Sequence, residues 1–187
     1  MSHIPDPDAS CPVCGAHAWG PFGDDPRHHL VRCRACGLAR RAATGPGDSR
    51  AGAPGPARPD LAPALAPAMG GAFVALRWDG AALVPLNGVP ADGSRFPRLD
   101  CVDALGRADD PARAAAALAR MAAPGALIRV AEPDLGHWRR ADLLPEARSH
   151  WFAARTLTRL LDAHGIRLVR RRRFLLRPVI DLLARRD

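Results

Sequence analysis

CPVCG at residues 11–15 and CRACG at residues 33–37 set Cys11, Cys14, Cys33 and Cys36 in the spacing C-x2-C-x18-C-x2-C. Two residues between paired cysteines make a tight turn that aims both thiolates at one ion, and two such knuckles close a tetrahedron. Gly15 and Gly37 follow the pairs, where a knuckle needs a positive φ that glycine adopts without strain. This spacing falls in the window for a four-cysteine zinc site and predicts a zinc ribbon over residues 1–40. Two disulfides are the competing reading, but paired C-x-x-C turns in a chain with no secretory signal favour metal. Iron is the rival ion, because four thiolates suit both metals. His17, His28 and His29 lie between the knuckles and could replace a cysteine, but beside four thiolates they read as surface residues.

The ribbon has few apolar residues to cover its metal: Trp19, Phe22, Leu30, Val31 and Leu38. So small a core cannot fold by itself, and metal binding is expected to supply most of its stability, on the order of 10 kcal/mol. Beyond it, residues 41–71 turn to Gly, Pro, Ala and Arg without a sustained period. Such a segment buries too little apolar surface to offset its ordering entropy and reads as a flexible linker, with a short helical turn near Leu61 to Met69.

Residues 72–187 read as an α/β domain. AFVALRWDGAALVPL at 72–86 holds two apolar runs around Asp79-Gly80, which predicts a hairpin with a two-residue turn. Leu99 to Asp103 reads as a buried strand. Asp110-Pro111 offers an N-cap and a first-turn proline for a helix that buries Ala115, Leu118, Ala119 and Met121 and stops at Pro124-Gly125. Ala126 to Ala131 is the next strand, left through Glu132-Pro133-Asp134. A second helix runs from Arg155 to His164 with Leu157, Leu160 and Leu161 inward, closed by Gly165. Ile166 to Leu176 and Val179 to Leu183 are two last strands joined near Arg177-Pro178, so the fold class is α/β with a partly parallel sheet ending in an antiparallel hairpin.

The formal charge is +8 and the pI near 10.9, values that ordinarily point to nucleic acid or an anionic surface. All the basic residues are arginine and tyrosine is absent, the mark of a coding bias, which weakens the charge as a sign of a partner. No apolar run reaches the roughly 20 residues of a membrane span, and a soluble, cytoplasmic protein without a membrane partner is expected. Cys101, in an apolar context, reads as a small core residue.

These pieces, in this order, resemble class I S-adenosylmethionine-dependent methyltransferases that carry an N-terminal zinc ribbon. The likeness rests on the CPxCG and C-x-x-CG knuckles, on VPADGSRFPRLDCVDALGRADDP, on the Pro-Gly turn before IRVAEPD, and on HWFAARTLTRLLDAHGI from His150 to Ile166. It covers residues 11–40 and 89–185 and implies a partial Rossmann-like sheet with its second half retained. Such enzymes grip their cofactor with an acidic-x-Gly-x-Gly-x-Gly loop between the first strand and its helix. That loop is absent, and so is an acidic residue for the ribose. Gly70-Gly71 and the glycines of GPGDS at 45–49 neither follow a strand nor open a helix. Many relatives have Glu-His after the fourth strand, where this chain has Gly106 and Arg107.

The resemblance with its departures implies a zinc-binding, non-catalytic binding or auxiliary subunit, completed by a protein partner or as a homodimer. The alternatives are an active methyltransferase on a small molecule, with a rebuilt S-adenosylmethionine site, and a basic zinc-ribbon protein that binds nucleic acid. Weak candidates for catalysis are His150, beside Trp151 and Phe152, and His137, in HWRR on the loop after a parallel strand. Both read better as structural: the aromatics staple the next helix to the sheet, and the loop covers the sheet end. Arg170, Arg171, Arg172 and Arg173 cannot sit in a central strand and must mark an edge, where they either deter pairing or bind phosphate.

Overall fold

A computed structural model of the 187-residue chain describes residues 9–22, 30–42, 73–86, 94–137, 148–172 and 179–187. They form a mixed α/β structure of two sheets and two α-helices, with more residues in strands than in helices. The expected linker beyond Ala42, the turn near Leu61, the junction at Arg177-Pro178, His28, His29 and Arg173 lie outside the described residues. No helix among the described residues is long and apolar enough to cross a membrane.

The smaller sheet has the order β1 (Trp19–Pro21), β2 (Leu30–Cys33), β3 (Ala39–Arg41) and β8 (His150–Trp151). The first three strands are the ribbon. The fourth comes from far along the chain, with Ala39 opposite Trp151 and Arg40 opposite His150. The segment around β8 also reaches the larger unit: Ser149 N–H donates to the Gly106 carbonyl at 3.0 Å, and Leu135 N–H to the Phe152 carbonyl at 2.8 Å.

The larger sheet runs β5 (Leu83–Pro85), β4 (Val74–Trp78), β6 (Phe96–Val102), β7 (Ala122–Pro133), β10 (Val179–Arg186) and β9 (Ile166–Arg172). Strands β4, β6 and β7 are parallel, while β10 lies antiparallel between β7 and β9. Leu99, Cys101, Ile128, Val130, Ile180 and Leu182 are all fully buried, as strands with both neighbours paired require.

Helix α1 (Pro111–Met121) begins where Asp110 accepts the Ala112 and Arg113 N–H groups, and it buries Ala114, Ala115, Leu118 and Ala119. Three alanines out of four let the helix lie close to the sheet. Met121, expected inside, is half-buried at the helix end. Strand β7 starts at once at Ala122, earlier than expected, and the Pro124-Gly125 pair is taken up as an irregularity in its pairing with β6. Helix α2 (Ala154–Asp162) buries Leu157, Leu160 and Leu161. Gly165, left-handed at φ 70°, follows it, and the Arg186 guanidinium donates to the carbonyls of His164 and Gly165 at 2.8 and 3.2 Å. A cation there suits the negative end of the helix.

The hairpin of β4 and β5 forms as expected, but its turn is longer. Trp78 pairs with Leu83, so four residues make the loop. Gly80 is left-handed and Asp79 is not; the Asp79 carboxylate instead accepts from the Ala81 and Ala82 N–H groups at 2.9 and 2.8 Å. An Asx turn thus replaces the two-residue turn.

The ribbon does not keep a core of its own. Cys11, Val13, Cys33 and Leu38 belong to one apolar cluster with Leu99, Leu118, Ile128, Phe152 and Leu157. The apolar cover the ribbon lacks in sequence is therefore supplied by the α/β unit.

Candidate metal centre

The two knuckles repeat one backbone pattern. Cys11 N–H donates to the Ala16 carbonyl and Gly15 N–H to that of Cys11, both at 2.8 Å; Cys33 N–H donates to Leu38 and Gly37 N–H to Cys33, again at 2.8 Å. Gly15 and Gly37 adopt φ of 72° and 84°, the conformation expected of each knuckle. Around Gly15 there is open space, so glycine is needed for its φ; at Gly37 a Cβ would also press on the Arg32 guanidinium at 3.0 Å.

These turns bring the four sulfurs of Cys11, Cys14, Cys33 and Cys36 within 4.8 Å of one another. Across the knuckles, Cys11 lies 3.6 Å from Cys36 and Cys14 3.6 Å from Cys33. A metal with bonds of about 2.3 Å to four sulfurs needs edges of roughly 3.8 Å, whereas a disulfide needs about 2.05 Å. The set can hold a metal ion, and all four thiols are unbridged. Cys101, also unbridged, is wholly buried in β6 and is not among the clustered ligands.

The polypeptide aims donors at the sulfurs. Burial pushes Cys11 up to about 11, opposed by the N–H groups of Val13 and Cys14. Burial raises Cys33 as well, but N–H groups of Cys36 and Ala35 and the thiols of Cys14 and Cys36 outweigh it and bring it down to about 7. Cys36 is raised, mainly by burial. Backbone donors that favour thiolate on both knuckles are what a thiolate-bound cation requires around it. His17 is exposed on the first knuckle and is not among the clustered ligands.

Thr156, at the start of α2, donates its hydroxyl to the Cys36 carbonyl at 2.6 Å and so ties the second knuckle to the α/β unit. No sequence signal marks this residue; only the tertiary fold brings it to the knuckle.

The second place to look for chemistry is the carboxyl end of the parallel strands, where open α/β sheets receive ligands. Here it is filled by a buried polar network. The Glu132 carboxylate, fully buried, accepts from the Leu105 and Gly106 N–H groups at 2.8 and 3.3 Å and from Arg148 at 2.7 Å. Arg148 also pairs with Asp103, which stands at φ 56° at the end of β6 and holds Arg107 at 2.6 Å. Burial pushes Glu132 up to about 7 against its N–H donors and pulls Arg148 down to about 9. Glu132 could have been suspected from its sequence, as a carboxylate closing the apolar run ALIRVA. Arg148 could not.

His150 is 5% exposed, its Nδ1 3.0 Å from the Ala108 carbonyl, and burial pulls it down to about 4. It lies in β8 beside the ribbon, with Trp151 and Phe152 both in the core. His137 closes a short 3-10 turn, Leu135–His137, after β7. His150 is not among the clustered ligands of the cysteine set. Arg170 and Arg171 are exposed on β9, the outermost strand, beside half-buried Arg172, which meets the expectation of an edge.

No family model matches the chain, and no curated protein matches it.

Proposed function

We propose that this chain is a zinc-binding relative of the class I methyltransferases that retains the second half of their sheet and serves as a non-catalytic binding or auxiliary subunit. The observation that carries this reading is the arrangement of β6, β7, β10 and β9, with β10 antiparallel between β7 and β9, together with the connection by which the chain leaves β4. In the resembled enzymes a glycine loop and a helix come after the first strand. Here β4, paired in parallel with β6, runs into the Asp79-Gly80 turn and the antiparallel β5.

The residues present do not fit S-adenosylmethionine. Among the described residues, no glycine-rich loop joins a strand to a helix, and the Leu105 and Gly106 N–H groups at the strand ends are taken by Glu132. Arg148, its side chain 1% exposed, fills the adjoining space. No methyl-transfer step is therefore assigned.

Zinc is the metal this reading gives to the four thiolates. It has no geometric demand beyond the tetrahedron the knuckles offer, and a closed four-cysteine set is structural in character. The deciding experiment is isothermal titration of S-adenosylmethionine and S-adenosylhomocysteine into protein whose zinc and iron are measured on the same sample. One zinc per chain and no heat supports the proposal. Binding of the cofactor at one site per chain defeats it and leaves an active enzyme with a rebuilt site as the better reading.

A further inference from the structure

A cleft of about 620 Å³ opens between the second knuckle and the start of α2, lined by Arg32, Arg34, Arg155 and Thr156 together with Cys33 and Cys36 of the four-thiol set. The volume is that of a small-ligand site, and among the described residues no carboxylate lines it. This sets the three arginines apart from Arg107, Arg129, Arg148 and Arg167, each of which has an acidic partner. Among the described residues none of the three is in an ion pair.

All three arginines are exposed, and two of their guanidinium groups lie against a glycine. Arg34 lies over Gly20, where a Cβ would meet its Nε at 2.7 Å, and Arg32 lies against Gly37 and 5.8 Å from the Phe22 ring. Glycine at those two places leaves room for the guanidinium groups to lie along the ribbon. The first turn of α2 adds to the same field: its N-cap residue, Ala153, has no side chain that can accept an N–H. Unsatisfied N–H groups at a helix start favour an anion.

We propose that this cleft binds the phosphate group of a phosphorylated ligand, with Arg32, Arg34 and Arg155 as its charge partners. Guanidinium forks match phosphate oxygens in pairs. Among the described residues no aromatic ring lines the cleft, so a base or sugar would gain little there, and recognition falls on the phosphate itself. The competing role for the arginines is to balance the negative charge of a metal held by four thiolates, and the test separates the two. The inference rests on the four-cysteine set holding a metal that orders the knuckle.

Pyrophosphate is titrated at low salt into the metal-loaded full chain, with metal content measured on each sample. Arg34→Ser and Arg155→Ser should each weaken binding about tenfold, the loss of one charge-assisted contact, at unchanged metal content. Arg170→Ser on the far edge should leave it unchanged. Arg34→Lys, which keeps the charge and loses the fork, should fall between. A single-stranded oligonucleotide without terminal phosphate, added in competition, tells a phosphodiester backbone from a terminal phosphate: displacement of pyrophosphate assigns the former, no displacement the latter. Absence of pyrophosphate binding to protein with one metal per chain overturns the proposal. So does binding that survives the Arg34→Ser/Arg155→Ser double variant, or loss of metal in the single variants. Failure to load metal at all counts against the metal reading instead.

Discussion

The hydroxyl of Thr156 donates to the carbonyl of Cys36 across 120 positions of sequence, at 2.6 Å. This bond joins the second knuckle to the helix that supports the larger sheet, and with the pairing of Ala39 to Trp151 it makes the ribbon part of the α/β unit. Replacing Thr156 with Val removes the donor at nearly constant volume and should cost about 1–2 kcal/mol. Urea unfolding of the metal-loaded protein measures it; a change within error would mean the bond adds nothing.

Metal removal should then be felt well beyond the ribbon. Cys11, Cys33 and Leu38 share one apolar cluster with Ile128 and Phe152, so chelation should lower hydrogen-exchange protection in β7 and β10 as well as at the knuckles. With metal about a thousandfold above its Kd, the stabilisation lost is about 4 kcal/mol. Protection lost at the knuckles alone would show the ribbon to be energetically separate.

Cys33→Ser and Cys36→Ser should bring the metal content below one ion per chain, with affinity down by more than the about 10–100-fold that outer-shell changes cost. Cys101→Ala, in the sheet core, should leave the metal content intact and cost only stability. Metal analysis of the three variants after dialysis decides. Gly37→Ala should also weaken the site, because its φ of 84° costs an L-residue about 1–2 kcal/mol.

Two buried groups should tilt stability with pH in opposite senses. Folded Glu132 holds its proton up to about 7, against an ordinary value of 4.5. The folded state thus binds the extra proton between these values, and this contribution is lost as pH rises through 7. His150, brought from 6.5 to about 4, behaves conversely: the unfolded state binds the extra proton, so stability falls as pH drops from 6.5 towards 4. Glu132→Gln should remove the first slope and leave stability rising with pH from about 5.5 to 6.5 in excess zinc. His150→Asn should leave only the fall. Denaturant midpoints across the window read both, and identical profiles for the two variants would refute the assignment.

The knuckles were legible because their spacing, glycines and thiols are all local: residues within five positions fix the turns, and the ion needs only that two turns face each other. Both helices were legible for the same reason, from the Asp110 cap, the leucines of α2 and Gly165. The arginine run announced an edge because four charges cannot be buried on two faces. By contrast, the longer turn at Asp79 arose because a side chain capped two N–H groups that a sequence pattern does not reveal. The early start of β7 reflects pairing with β6, which overrode the break expected at Pro124-Gly125.

The amino-acid order by itself determined the four-thiolate set, the alternation of strand and helix after residue 94, and the absence of a glycine cradle, because each depends on neighbours along the chain. Tertiary structure alone decided that β8 extends the ribbon, that Arg148 closes the sheet end on Glu132, and that Arg32, Arg34 and Arg155 share a cleft. Those relationships join separate segments of the chain, and only the burial of a common core brings them into contact.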